Sequence, residues 1–142
     1  MSINQISVFV ENKPGKLADI TEILAKAEVD LRAMSIADTQ DFGILRLIVD
    51  NPHAALTALR DNGCTVNVTS VLAVEMPDKP GGLAGVLRVL ADKNVNVEYL
   101  YAFISRSKGN AYVILRVEDN EEAMAVLKEA GIGIVTAEQI YS

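Results

Sequence analysis

Asn12-Lys13-Pro14-Gly15-Lys16-Leu17-Ala18 stands between a short apolar run, Ile6 to Val10, and an amphipathic run from Leu17 to Ala27. It recurs as Asp78-Lys79-Pro80-Gly81-Gly82-Leu83-Ala84, 66 positions later (78 minus 12), and the same shift carries Leu31 onto Val97. Each copy reads as a strand, a Lys-Pro-Gly turn and then a helix. Pro14 biases Lys13 away from the helical region, and Gly15 permits close backbone approach. A motif repeated at fixed spacing means that one structural unit is used twice.

Working outward from the first turn, Ile6, Val8 and Val10 alternate with Ser7 and Phe9, the period of a strand. Downstream, Leu17, Ile20, Leu24 and Ala27 form one apolar stripe of a helix over Lys16 to Ala27. Strands follow at Ala33 to Ala37 and Ile44 to Val49, joined by the polar loop Asp38 to Asp41. Asn51 and Pro52 form a helix start, Asn62-Gly63 a helix end, and Thr65 to Val68 a fourth strand. The order is β-α-β-β-α-β.

The second copy starts almost without a linker. It has a strand at Val71 to Met76, a helix striped by Leu83, Val86, Leu87 and Leu90, and strands at Tyr99 to Ile104 and Tyr112 to Val117. Asn120 is expected to cap the last helix, Ser105 to Asn110 to form a longer loop, and Ile132 to Tyr141 to supply the final strand. The expected fold class is therefore α+β: two tandem ferredoxin-like βαββαβ units, residues 1–68 and 69–142, each with an antiparallel four-stranded sheet. Strands apolar on both sides, with Leu45, Leu47 and Val49 on one face and Ile44 and Ile48 on the other, point to further packing. A sheet continuous within the chain and a homodimer are the expectation.

Composition excludes several function classes. Half of the 142 residues are hydrophobic, aromatics are 5%, Trp is absent and the net charge is −6. An acidic chain with scattered cations suits neither nucleic acid nor an anionic membrane surface. The single Cys64 rules out an internal disulfide and reads as a buried reduced thiol. No apolar run reaches the roughly 20 residues that span a bilayer, and Met-Ser-Ile-Asn-Gln has no signal-peptide pattern, so a soluble cytoplasmic protein is expected.

Catalytic chemistry is missing too. The one histidine, His53, falls in the first turn of a surface helix, and no Ser or Cys has a base beside it. There is no metal-ligand spacing and no phosphate loop, and no cofactor is implied. The second and third strands lack the stacking aromatics of an RNA-binding version of this fold. What is left is a small-molecule sensor or an assembly module rather than an enzyme.

The pattern strand, [Asn/Asp]-Lys-Pro-Gly-x-Leu-Ala, apolar helix, [Asp/Asn]-[Leu/Val], present at Asn12 to Leu31 and at Asp78 to Val97, resembles the ACT domain. The whole chain is similar to the small stand-alone proteins made only of two ACT units, notably along Ser35 to Arg46. The resemblance implies non-enzymatic regulation by small ligands, typically amino acids, bound between units where one turn faces a neighbour's second strand. Carried over, one site comprises Asn12, Lys13, Pro14, Gly15, Lys16 and Leu17 with Asp30 and Leu31. The other comprises Asp78, Lys79, Pro80, Gly81, Gly82 and Leu83 with Asn94, Asn96 and Val97.

Free N–H groups at a helix start suit a carboxylate, Asn12 or Asp78 beside them suits an α-ammonium, and Asn96 offers both a donor and an acceptor. Asp78 is charged where Asn12 is neutral, so unequal affinities are expected. Partners are then an amino-acid ligand, a second copy of the chain and a metabolic enzyme. The competing reading is an assembly subunit that docks to such an enzyme without binding a ligand.

Overall fold

The computed structural model describes residues 2–38, 40–104 and 109–141. Its first elements are β1 (Ile3–Glu11), α1 (Lys16–Lys26), β2 (Leu31–Asp38), β3 (Phe42–Val49) and α2 (Pro52–Asp61). Then come β4 (Val66–Pro77), α3 (Gly82–Asp92), β5 (Val97–Ile104), β6 (Asn110–Val117), α4 (Asn120–Glu129) and α5 (Ala137–Tyr141). Two compact units, built on Asn4–Thr69 and Ser70–Ile140, meet in sequence within β4. The two strands expected at 65–68 and 71–76 are this one unbroken strand. The expected loop at Ser105 to Asn110 falls largely at 105–108, outside the described residues.

In the first unit β2, β3 and β1 pair antiparallel, with Ile36 opposite Leu45 and Leu45 opposite Val8. The Phe9 N–H donates to the Thr65 carbonyl at 3.0 Å and draws the chain entering β4 alongside β1. The alternation places Ile6, Val8 and Val10 with Leu45, Leu47 and Val49 on one face, where Ile20 and Leu24 of α1 and Ala55 and Leu59 of α2 complete the core. Both helices therefore lie on one side of the sheet. The second unit repeats the plan: Leu72 and Val74 with Val113, Leu115 and Val117, under Val86 and Leu90 of α3 and Ala123, Met124 and Leu127 of α4. Truncating a fully buried leucine such as Leu90 to alanine would cost about 2–5 kcal/mol.

Three local expectations need correction. Leu17 does not join the core stripe of α1 but is 43% exposed, because it sits at the turn end of the helix, beyond the core that Ile20 and Leu24 fill. The cap of α4 is Asp119, one residue before Asn120, with its carboxylate accepting from the Glu122 N–H at 3.1 Å. The final strand of the second unit is reduced to one bridge, Val74 with Ile134, after which the chain turns into α5. Thr136 and Gln139 explain the turn. The Thr136 N–H donates to Gln139 Oε1 at 2.8 Å and Thr136 Oγ1 accepts from the Gln139 N–H at 3.3 Å, a reciprocal capping box. Thr-x-x-Gln was visible in the sequence, and its local bonds prevail over the strand-like run before it.

The helix ends repeat as well. Among the described residues Glu28 and Asn94, 66 positions apart, are the non-glycine residues with positive φ, at 58° and 57°. Asn tolerates the left-handed region, whereas for Glu it costs roughly 1 kcal/mol or more. Glu28→Asn should therefore raise the urea midpoint by an amount equivalent to about 0.5–1 kcal/mol. A midpoint unchanged or lowered would show that no strain resides there.

Candidate functional site

Both Lys-Pro-Gly turns fold alike. The Lys13 N–H donates to the Glu11 carbonyl at 2.9 Å, and the Lys79 N–H to the Pro77 carbonyl at 3.0 Å. Gly15 and Gly81 then take φ of 85° and 87° as the N-cap residues of α1 and α3. A Cβ at either glycine would meet nothing within 4 Å. The expected reason for Gly15, close backbone approach, is thus replaced by backbone conformation. Close approach belongs instead to Gly82, where a Cβ would overlap the Pro77 carbonyl oxygen. Lys16 occupies the matching place in the first copy.

No side chain caps α1 or α3, whereas Asn51 caps α2 and Asp119 caps α4. The two helices that follow the repeated turns are the ones whose first N–H groups are left without a side-chain partner. The Lys16 and Gly82 N–H groups reach the Lys13 and Lys79 carbonyls at 3.3 and 3.0 Å, and the next donors of each helix start, with its partial positive charge, are left for a carboxylate. Among the described residues Asp78 makes no side-chain hydrogen bond or ion pair, although its backbone N–H reaches the Gly109 carbonyl at 2.9 Å. Asn12 is less available than expected, since its amide donates to the Gln40 carbonyl at 3.2 Å and pins the β2–β3 loop.

Charge distinguishes the turns further. Lys13 Nζ lies 2.9 Å from Glu11 Oε2. That hydrogen bond, with the ammonium charge, holds the Glu11 carboxyl below its ordinary pKa and raises that of Lys13. In the second copy Pro77 stands where Glu11 does, so Lys79 has no equivalent acid. Asn12, Lys13, Pro14, Gly15, Asp78, Lys79, Pro80 and Gly81 are exposed, Lys16, Gly82 and Leu83 half-buried. A dimple of about 60 Å³ is lined by Asn12, Lys13 and Leu17 with Ile36 and Gly43.

The remaining expected residues lie elsewhere in each unit. Gly43 of β3 pairs with Val10 beside the turn, whereas Leu31 pairs with Val49. Six residues of strand, about 20 Å, separate the two ends. Asp30 and Leu31 are therefore not brought to Asn12–Leu17 within their own unit, nor, by the same register, are Asn94, Asn96 and Val97 brought to Asp78–Leu83. Asp30 already holds Arg32 at 2.9 Å, and Leu31 and Val97 pack against the cores. Asn94 and Asn96 line an open cleft of about 610 Å³ with Glu98 and the acidic run Glu118 to Glu122, residues that the sequence reading did not connect with them.

Cys64, expected buried, is half-buried and lines a separate cleft. Among the described residues no cluster of three or more His, Cys, Asp and Glu could hold a metal ion. Nor is any helix among them long and apolar enough to cross a membrane.

Residues 1–142 match the family model described as an ACT domain pair. Among solved structures, a protein from Bacteroides thetaiotaomicron shares 41% identity over 100% of this chain and 97% of its own, with a TM-score of 0.93. The ligand-free regulatory subunit of aspartate kinase from Thermus thermophilus aligns at 19% identity over 89% of this chain and 91% of its own, with a TM-score of 0.67. The corresponding subunit from Thermus flavus aligns at 18% identity over 90% and 92%, with a TM-score of 0.63. At such identities the likeness is one of fold. No curated protein matches the sequence.

Two outcomes test this geometry. Gly82→Ala should destabilise by about 1–3 kcal/mol through overlap with Pro77, whereas Gly85→Ala, whose Cβ points into open space within α3, should stabilise by about 1 kcal/mol. Equal effects in denaturant titrations would contradict it. Lys13→Ala should move the Glu11 carboxyl back up toward its ordinary value in an NMR pH titration. Because the folded Glu11 pKa is the lower one, the pair's contribution is present at neutral pH and lost as pH falls through it. The raised Lys13 pKa ends the same contribution on the alkaline side.

Proposed function

The chain belongs to the ACT domain pair family, and from that membership we propose that it is a regulatory protein whose repeated turns bind amino acids. The pair is a regulatory module and has no catalytic domain. The observation that carries the ligand reading is the contrast between helix starts: α1 and α3 follow left-handed glycines and lack side-chain caps, while α2 and α4 are capped. An α-carboxylate fits the open donors of α3, and the Asp78 carboxylate beside them fits an α-ammonium. The second turn is the better site, because Asn12 is committed to Gln40 and among the described residues Asp78 has no such commitment.

The complementary residues Asn94, Asn96 and Val97 lie some 20 Å from their own turn, so another unit would have to supply them. We take that unit to come from a second copy of the chain, which makes the working form a homodimer and links ligand to assembly by mass action. The regulated partner is then a metabolic enzyme, in the cytoplasm. The engaged Asn12 and Asp30 favour one further reading for the first copy alone, a structural turn in a docking subunit.

A thermal-shift screen of the standard amino acids, paired with sedimentation velocity, tests the proposal. An amino acid at about a hundredfold excess over its Kd should stabilise the protein by about 2.7 kcal/mol, a shift of several degrees, and enrich the dimer. Gly81→Val, incompatible with the left-handed turn, should abolish the dimer enrichment and reduce the thermal shift, while Gly15→Val leaves the larger part of both. A folded protein that no amino acid stabilises at millimolar concentration would refute ligand binding.

A further inference from the structure

The first unit carries an open cleft of about 520 Å³ on the flank of α1, which shares Lys16 with the first turn and reaches Glu11 beside it. Its walls are α1, the end of β1 and the corner between α2 and β4. Lys16, Asp19, Ile20 and Ile23 lie on one face of α1, at the i, i+3, i+4 and i+7 spacing that aligns side chains along a helix. Phe9 and Phe42, stacked with ring centroids 4.9 Å apart, add apolar surface at the rim. The opposite wall holds Cys64, fixed by a helix-ending motif in which the Cys64 N–H donates to the Leu59 carbonyl at 3.0 Å after left-handed Gly63.

This cleft combines an apolar floor with the Lys16 ammonium and the Asp19 carboxylate, and the Glu11 carboxylate, paired with Lys13, stands at its turn end. Among the described residues neither the Lys16 ammonium nor the Asp19 carboxylate forms a salt bridge or side-chain hydrogen bond. The second unit shows that the fold does not require these charges. At the positions matching Lys16, Asp19 and Cys64 it has Gly82, Gly85 and Ile132, and it builds the same helix, the same turn and the same helix-ending bonds. The volume lies within the range of small-ligand sites, about 300–1,000 Å³.

We propose that this cleft binds a small zwitterion with an apolar side chain. Lys16 meets its carboxylate, Asp19 meets its ammonium, and Ile20 and Ile23 pack against the side chain. The site is complete within one unit and does not depend on the turn sites being occupied.

The chain's single thiol makes occupancy directly readable. In the full-length protein, L-leucine, L-methionine and L-phenylalanine serve as probes, and the rate of Cys64 alkylation by iodoacetamide is followed. At least one probe should slow alkylation several-fold in a saturable way, and should shift the methyl NMR signals of Ile20 and Ile23. Asp19→Asn, an exposed change that leaves the core untouched, should weaken the protection about tenfold; so should Lys16→Gln. N-acetyl-leucine, which lacks the ammonium, and isoamylamine, which lacks the carboxylate, should not protect. The proposal is overturned if no probe protects the folded protein, if isoamylamine protects as well as leucine, or if Asp19→Asn protects like wild type. Protection lost in Gly81→Val but kept in Asp19→Asn would also overturn it, because the ligand would then sit at the turn. Absence of any ligand-linked dimer enrichment with cleft protection intact would instead refute only the turn sites.

Discussion

The left-handed glycine that closes each Lys-Pro-Gly turn is the constraint on which the rest of the protein depends. A strand running along the sheet has to become a helix lying across it within a few residues. Gly15 and Gly81 do this with almost identical backbone angles. From that geometry follows the direction of α1 and α3, and with it the burial of Ile20 and Leu24 in one core and of Val86 and Leu90 in the other. The same turn leaves the helix starts without side-chain caps.

Charge then separates what the backbone repeats. The first turn satisfies its own lysine through Glu11 and engages its asparagine with the β2–β3 loop. The second has Pro77 and Asp78 in those places, and among the described residues its carboxylate and ammonium have no side-chain partner. On the flank of α1 the bias runs the other way, with Lys16 and Asp19 against Gly82 and Gly85. Neither asymmetry affects the aliphatic cores. The residues that build the cores and those that distinguish the two copies are thus different residues on a shared frame, as expected when burial dominates folding and surface charge contributes little to it.

Much of this was legible in the residue pattern, for identifiable reasons. Period-two runs such as Ile6, Val8 and Val10 and the Asn51-Pro52 helix start are local signals, and the elements followed them. The repeat made the order of elements readable twice. The misreadings had local causes as well. Ile132 to Tyr141 looked strand-like by hydrophobicity, but the Thr136–Gln139 capping box makes its end helical. Leu17 fell on the apolar stripe by spacing, yet spacing does not tell where a core ends. The separation of Asp30 from Asn12 depends on strand register across the sheet, which no linear motif encodes. The cleft at Cys64 joins residues 9 to 65 and was invisible for the same reason.

The overlap that any Cβ at Gly82 would have with the Pro77 carbonyl bears on how the two halves have been able to diverge. Position 16 is open to drift: a side chain there meets no obstacle, and a lysine has settled in it. Position 82 is closed to every residue but one unless the preceding strand end changes first. The two halves are therefore not equally open to substitution at this position. Any exchange of segments between them would be one-way, with a glycine tolerated in the first copy and a lysine refused by the second.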